Sequence, residues 1–182
     1  KNLLKNNIYF KKIKFSSKMF KISNTINVEN NADEVWDLIS SPGHLNLFHP
    51  FCKENNVLES KNTVIVKDQL IYLNGLTYYR FFTEWHPGLG YGLKIGSKNA
   101  KESEVKWQII ENQDLTCVKI SVKPYISTKI PRLLYPFFHY FLIRPKLKSY
   151  LSSVLNGLRY YLIHKKEVKP NQFGKHSWFT QT

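Results

Sequence analysis

Hydrophobic and polar positions change their period twice along the chain. Residues 20–28 alternate with period two and predict a strand, and residues 54–125 repeat this pattern. Turn signals within the second region fall at 59–62, 74–75, 86–88, 96–99 and 111–114. Together they predict a meander of about six antiparallel strands.

Two short helices are predicted between the first strand and the meander. Asn31 is a suitable cap, acidic residues follow at 33–34, and Val35, Trp36, Leu38 and Ile39 form an apolar face. The Ser-Pro-Gly stretch at 41–43 ends this helix, and residues 43–51 predict a second helix or turn that closes at Pro50.

The period changes again after residue 123. Prolines at 124, 131, 136 and 145 divide the region into a connector, an aromatic segment at 133–143 and a helix that begins near Pro145. Apolar residues then recur at steps of three and four, at Leu147, Leu151, Val154, Leu155, Leu158, Tyr161 and Leu162. This stripe predicts a helix that packs along one face. Residues 165–182 predict an irregular tail.

Length and composition indicate a single domain with its own core. The chain has 182 residues, of which 42% are hydrophobic, and its longest uncharged apolar stretch, 133–143, is too short to span a membrane. We expect a basic extension at 1–18, a domain at 19–165 and a tail at 166–182 that packs on the domain or trails it. The extension is either upstream sequence before a natural start at Met19, the single methionine, or a basic amphipathic arm.

The net charge of +14 is concentrated at the two ends of the chain. Residues 1–21 carry +7 and residues 123–182 carry +10, whereas residues 22–122 carry −3. This distribution favours local attraction to anionic surfaces. Nucleic acid is disfavoured as a partner by comparison, because the middle of the chain is mildly acidic and the sequence contains no known nucleic-acid-binding signature.

No cofactor is expected. Cys52 and Cys117 lie far apart and predict isolated thiols, and none of the six histidines has metal-ligand spacing. No GxSxG elbow is present, and the GLGYG stretch at 88–92 fits a hairpin better than a dinucleotide loop. Without a visible secretory signal, the cytoplasm is the expected location, with membrane association as an open addition.

The order of predicted elements resembles the SRPBCC superfamily, which includes START-like, polyketide-cyclase-like and birch-pollen-allergen-like proteins. The stretch ADEVWDLISSPGHLNLFHPF at 32–51 is similar to that family's pattern, and TEWHPG at 83–88 and YLSSVLNGLRYYL at 150–162 add to the similarity. The resemblance implies an α+β helix-grip fold, in which a curved antiparallel sheet of about seven strands wraps around a long C-terminal helix. It also implies a cavity for an apolar ligand.

Alternation within the strands predicts which side chains face that cavity. Inward positions in the last three strands are Tyr91, Leu93, Ile95, Val105, Trp107, Ile109, Val118, Ile120 and Val122. In the strand at 76–85 both faces are aromatic, and the family register favours an inward face that includes Arg80 and Glu84; the alternative places both in solvent. The candidate ligand-binding set is Phe48, His49, Phe51, Tyr78, Arg80, Phe82, Glu84, Tyr91, Leu93, Trp107, Ile120, Leu151, Val154 and Leu158.

Two functions follow from this set. The first is binding of a hydrophobic or lipid-like small molecule by a carrier or sensor, with an inward Arg80 as a candidate anchor for a polar head. The alternative is a cyclase-like or hydrolase-like enzyme in which Arg80, Glu84 or His49 polarises the substrate. A histidine such as His49 more often only bonds to the backbone.

The aromatic segment at 133–143 has three interpretations. Cations at 129, 132, 144, 146 and 148 flank it, a pattern typical of a peripheral membrane contact spanning residues 129–148. The favoured interpretation is a lid or core segment packed over the cavity, with its cations in solvent, and the third is a dimer contact. The sequence does not define the oligomeric state.

Overall fold

A seven-stranded antiparallel sheet forms the body of the protein. The computed structural model describes residues 20–112, 115–127, 130–131 and 133–181. Its strands are β1 (Ile22–Val28), β2 (Cys52–Lys61), β3 (Val64–Tyr72), β4 (Thr77–His86), β5 (Gly90–Gly96), β6 (Ser103–Asn112) and β7 (Leu115–Lys123). They pair in the order β1-β7-β6-β5-β4-β3-β2. The predicted six-strand meander is therefore β2 to β7, and β1 joins the sheet beside β7.

Helices connect and cover the sheet. They are α1 (Ala32–Ser40), α2 (Leu45–Phe48), α3 (Tyr135–Phe138) and α4 (Arg144–His164), with a π-helical segment, His139–Ile143, between the last two. The cap predicted for α1 is present, since the Asn31 side chain accepts a hydrogen bond of 2.8 Å from the Glu34 amide. The extension at 1–18 with Met19, the cations Lys129 and Arg132, and part of the turn at 111–114 lie outside the described residues.

The core lies between the inner face of the sheet and α4. The predicted helix stripe is buried at six of its seven positions, and Tyr161 is half-buried. The nine predicted inward residues of β5, β6 and β7 all belong to the same hydrophobic core or pack against it. This arrangement of a curved sheet around a long C-terminal helix confirms the helix-grip fold.

Glu84 does not follow the predicted register. Pairing between β4 and β5 shifts after Phe82, because a bulge inserts Thr83 as an extra residue. The bulge reverses the faces, so that Glu84 lies outside and Trp85 packs inside against Tyr91. Glu84 is exposed and forms a 2.8 Å ion pair with Lys106, which corrects its assignment to the cavity.

The C-terminal helical region begins earlier than predicted. We expected a helix near Pro145 after a separate aromatic segment, but α3, the π-helical segment and α4 follow one another without a break from 135 to 164. A prolyl ring collides with the carbonyl four residues before it in an α-helix. The wider π-turn, in which the Arg144 amide bonds to the His139 carbonyl, precedes Pro145 and accommodates it.

The tail is irregular, but hydrogen bonds attach it to the domain along its length. The Val168 amide donates to the Leu47 carbonyl at 2.9 Å, and the Asn171 amide donates to the Pro50 carbonyl at 2.9 Å. Near the end, the Asn74 amide donates to the Phe179 carbonyl at 3.3 Å. Val168, His176 and Phe179 are buried, so the tail contributes to the core.

Candidate functional site

A cavity of about 380 Å³ lies between the inner face of the sheet and α4. This volume falls in the size range of small-molecule sites, roughly 300 to 1,000 Å³. Most of its wall is aliphatic or aromatic, and the aliphatic residues are Leu45, Leu70, Leu93, Ile95, Val105, Ile120, Val122, Ile143, Leu147, Leu151 and Val154. Such a wall favours an apolar occupant.

The structure divides the candidate residues into those that line the cavity and those that do not. The lining group comprises His49, Tyr78, Arg80, Leu93, Trp107, Ile120, Leu151 and Val154. Phe48, Phe51, Tyr91 and Leu158 are buried in the surrounding core, and Phe82 packs against Trp85 and Tyr91. Among the candidates, only Glu84 lies on the opposite face of the sheet.

Sequence reasoning missed several aromatic residues of the wall. Tyr72 has the same inward phase as Leu70 on β3, and this alternation was a usable signal. Tyr150 lies beside the apolar stripe of α4. Because its side chain carries a hydroxyl, it is not counted among the apolar positions that predict the buried face. Trp178 and Phe179 also line the cavity, but they come from the irregular tail, for which neither period applies.

Arg80 faces the interior, and a carboxylate already neutralises it. Its Nε donates to Asp68 Oδ1 at 2.7 Å, and its Nη2 donates to Asp68 Oδ2 and, at 3.4 Å, to Asn55 Oδ1. Arg80 and Asp68 are both buried. Desolvation opposes the charge on Arg80, but Asp68 outweighs it, and the pKa of Arg80 is raised above its usual value. Arg80 therefore belongs to an internal neutral pair.

Two buried histidines border this ion pair. His44 contacts the Ser41 carbonyl through Nδ1 at 2.8 Å and the Tyr91 hydroxyl through Nε2 at 3.3 Å. Burial, reinforced by the positive charge of Arg80, lowers the pKa of both His44 and His49 to about 3. Both rings are neutral near pH 7.

His49 begins a chain of hydrogen bonds along one wall of the cavity. Its Nε2 lies 2.8 Å from the Tyr150 hydroxyl, which lies 3.2 Å from the Tyr72 hydroxyl. Burial raises the pKa of Tyr150 and of Tyr72, so both hydroxyls keep their protons. The chain places hydroxyl groups in a wall whose other residues are mainly apolar.

The cavity lies next to an exposed aromatic surface. Tyr135 and Ile143 line the cavity and His139 between them is buried, whereas most other residues of the same segment face solvent. We call these residues the aromatic face: Leu133, Leu134, Phe137, Phe138, Tyr140, Phe141 and Leu142. Phe137 and Phe141 are 64% and 71% exposed, so neither packs over the cavity as a lid.

Metal binding, thiol catalysis and a membrane-spanning helix each place their own requirements on the described part of the chain. No cluster of three or more metal-ligating side chains occurs there. Cys52 and Cys117 are free thiols, and burial raises the pKa of Cys52 to about 12, which makes that thiol a poor nucleophile. No helix in the described residues is long and apolar enough to cross a membrane.

Comparison with known proteins identifies the fold. No protein-family model matches the sequence, and no curated protein sequence is detectably similar to it. Solved structures do match: a START superfamily protein from Mycobacterium smegmatis has 12% sequence identity and a TM-score of 0.62, covering 80% of this chain and 99% of its own. A conserved protein from Geobacillus kaustophilus has 13% identity and the same TM-score, with 81% and 97% coverage.

A third similar structure is a protein of a biosynthetic locus. DynU16, a protein of the dynemicin biosynthetic locus, matches with 14% identity and a TM-score of 0.60. The match covers 81% of this chain but 48% of DynU16, so the chain spans about half of that protein. These likenesses confirm the prediction at the level of fold: the chain has a helix-grip fold similar to that of the START superfamily protein.

Proposed function

We propose that the protein binds a hydrophobic, lipid-like small molecule in the cavity between the sheet and α4, as a carrier or sensor. The observation that carries this proposal is the cavity of about 380 Å³ with a mainly aliphatic and aromatic wall. START-like structural neighbours support a ligand-binding role for the fold. A fold supports many activities, so the cavity carries more weight than the likeness.

The enzymatic alternative gains no support from the residues it would use. Arg80 is paired with Asp68, and both ring nitrogens of His49 have protein partners. Glu84 lies outside the cavity. Binding of an apolar ligand requires only the cavity. It does not require Arg80, His49 or Glu84 to be without a protein partner.

The test is native mass spectrometry of protein purified without added ligand, followed by extraction and identification of any released molecule. We expect wild-type protein to carry an apolar molecule in stoichiometric amount. Leu147→Trp, which fills the cavity from α4, should lose it. Ile163→Trp, at an exposed position on the same helix, is the matched control and should retain it. Wild-type protein that is empty and also fails to take up a cellular lipid extract would refute the proposal.

We also propose that the aromatic face contacts an anionic membrane surface. Its exposed rings are of the type that settle at the headgroup boundary, and Arg144, Lys146 and Lys148 follow directly. The sequence has no acidic residue between Lys123 and Lys166. Each cation near an anionic leaflet adds about 1 kcal/mol of attraction. Contact there would bring the cavity close to its source of ligand.

Co-sedimentation with vesicles tests this contact. We expect binding to phosphatidylcholine vesicles containing phosphatidylserine, weaker binding to phosphatidylcholine alone, and loss of both on Phe137→Ser with Phe141→Ser. Leu89→Ser, at an exposed leucine on the β4–β5 hairpin, should bind as wild type does. Absence of vesicle binding together with a concentration-dependent dimer would instead assign the aromatic face to self-association.

A further inference from the structure

The hydrogen-bond chain along the cavity wall has a defined direction at its first member. The Phe51 amide donates to His49 Nδ1 at 3.2 Å, so the neutral ring carries its proton on Nε2. That proton is donated to the Tyr150 hydroxyl at 2.8 Å. Tyr150 is thereby an acceptor toward His49, and its own hydroxyl hydrogen remains available.

One hydroxyl hydrogen of this hydrogen-bond chain has no acceptor among the described residues. Tyr150 and Tyr72 contribute two hydroxyl hydrogens, but the single 3.2 Å contact between them uses only one. No other described side chain or backbone group makes a hydrogen bond with either hydroxyl. Successive donation from His49 to Tyr150 to Tyr72 polarises each bond in the same direction, which favours Tyr72 as the terminal donor. Both tyrosines line the cavity.

The charges around the cavity favour a neutral partner for that donor. Arg80 is the one lining residue that carries a permanent charge among those described, and Asp68 compensates it. His49 is neutral and held by two protein groups. A carboxylate or phosphate on the ligand would be desolvated here without an unpaired cation to receive it.

We propose that the ligand is a neutral apolar molecule with a hydrogen-bond-accepting oxygen, such as a ketone or quinone carbonyl, that accepts the unused hydroxyl hydrogen of the Tyr72–Tyr150 pair. This inference rests on the proposed binding function and specifies its ligand class. The hydroxyl chain fixes one polar end of the ligand, and the aliphatic wall holds the remainder.

Three compounds of nearly the same shape separate the possibilities: 2-acetonaphthone, 2-ethylnaphthalene and 2-naphthoate. Their dissociation constants can be measured by equilibrium dialysis. Water solvates the ketone better than the ethyl compound, so a cavity without a donor should prefer the ethyl compound. We expect wild-type protein to prefer the ketone to both others. In the double variant Tyr72→Phe with Tyr150→Phe, the ketone-to-ethyl preference should fall by about tenfold, the range of one hydrogen bond.

The control is Tyr79→Phe, which makes the same chemical change on the outer face of β4. It should leave the preference unchanged. Infrared spectroscopy of bound 2-acetonaphthone gives a second measurement that needs no variant. A hydrogen bond shifts the carbonyl stretch to lower frequency, and we expect that shift in wild-type protein.

The outcomes distinguish this inference from the function on which it rests. If neither neutral compound binds, the cavity-binding function fails and the inference fails with it. If both bind but the carbonyl stretch stays at its position in an alkane solvent, binding stands and the donor assignment is overturned. Tighter binding of 2-naphthoate than of the ketone would overturn the choice of a neutral ligand.

Discussion

At the residue scale, the protein contains a buried ion pair between Asp68 and Arg80. Asp68 has no exposed surface and Arg80 is 3% exposed, so their charges depend on each other. A buried ion pair contributes little compared with apolar residues of the same size, but removal of one partner leaves an uncompensated charge. The pair therefore makes the fold sensitive to either residue.

Substitution Asp68→Asn tests this dependence. We expect the free energy of unfolding to fall by about 3–5 kcal/mol, because the Arg80 guanidinium stays buried without its counter-charge. Urea denaturation at pH 7 measures the change. Glu104→Gln, which removes the carboxylate of the exposed pair with Lys123, is the matched control and should cost no more than about 1 kcal/mol. Similar small losses in both variants would contradict the role assigned to Asp68.

The buried histidines predict a dependence of stability on pH. His44 and His49 stay neutral in the folded protein because their pKa values are lowered to about 3, whereas in the unfolded chain they titrate near 6.5. Below pH 6.5 the unfolded chain binds protons that the folded protein does not, so stability is full above that pH and declines below it. At pH 5.5 each of these two rings lowers the free energy of unfolding by about 1.4 kcal/mol, and the two together by about 3 kcal/mol. His139 and His176 are also buried, and desolvation lowers their pKa values, so they add to the loss.

Urea denaturation at pH 7.5 and pH 5.5 measures this loss. His164→Asn changes an exposed ring and should leave the difference between the two pH values unaltered. A free energy of unfolding that is equal at both pH values would show that His44 and His49 take up protons in the folded state.

At the scale of elements, the contact between α2 and α4 depends on one glycine. A Cβ atom placed on Gly157 would lie 2.0 Å from the Phe48 carbonyl oxygen, far inside van der Waals contact. The obstructing atom is backbone at the end of α2, and so the helices would have to separate. The absence of a side chain at Gly157 therefore allows α2, and His49 immediately after it, to pack closely against α4.

We expect Gly157→Ala to destabilise the protein by about 1–3 kcal/mol, the usual cost of overpacking. In an unobstructed helix the same change stabilises by up to about 1 kcal/mol, so the sign of the effect is diagnostic. Thermal or urea unfolding measures it. Ser149→Ala, at an exposed position of α4, is the control and should be neutral or slightly stabilising. A stabilising Gly157→Ala would show that α2 moves freely.

Elements that repeat a simple period were predictable from the sequence. The β2–β7 meander and the stripe of α4 followed from periods of two and of three to four, and the Asn31 cap followed from local chemistry. The bulge at Thr83 was not predictable, because both faces of β4 are aromatic and alternation gives no contrast there. The π-turn was missed for a different reason. Pro136 and Pro145 predicted breaks in the helix, whereas a wider helical turn before Pro145 accommodates the prolyl ring.

The site was predictable only where its residues lie on regular elements. Leu93, Trp107 and Ile120 followed from strand alternation, and Arg80 from the family register. Its partner Asp68 could not be identified, because an acidic residue in a strand ordinarily faces solvent and pairing across β3 and β4 requires the register. The hydroxyl chain joins residues more than 75 positions apart, which no local pattern encodes.

At the scale of the whole molecule, the tail completes a cavity that the sheet and α4 begin. The Phe179 ring stacks on Tyr72 with centroids 4.2 Å apart and lies 4.8 Å from the Tyr150 ring. His176 contacts the Lys146 carbonyl at the start of α4 through Nε2, at 3.1 Å. These contacts fix the tail across the wall that carries the hydroxyl chain.

The tail should therefore matter for ligand affinity as well as for stability. We expect Phe179→Ala to weaken the binding of 2-ethylnaphthalene by about tenfold, because a buried phenylalanine side chain contributes roughly 1.5–3 kcal/mol and part of this ring faces the cavity. Phe173→Ala is the matched control: it removes a tail phenylalanine that packs on Tyr160, away from the cavity, and should leave affinity unchanged. Equilibrium dialysis gives both values, and circular dichroism confirms that each variant is folded. Equal affinities in the two folded variants would mean that the sheet and α4 alone form the binding site and that the tail only stabilises them.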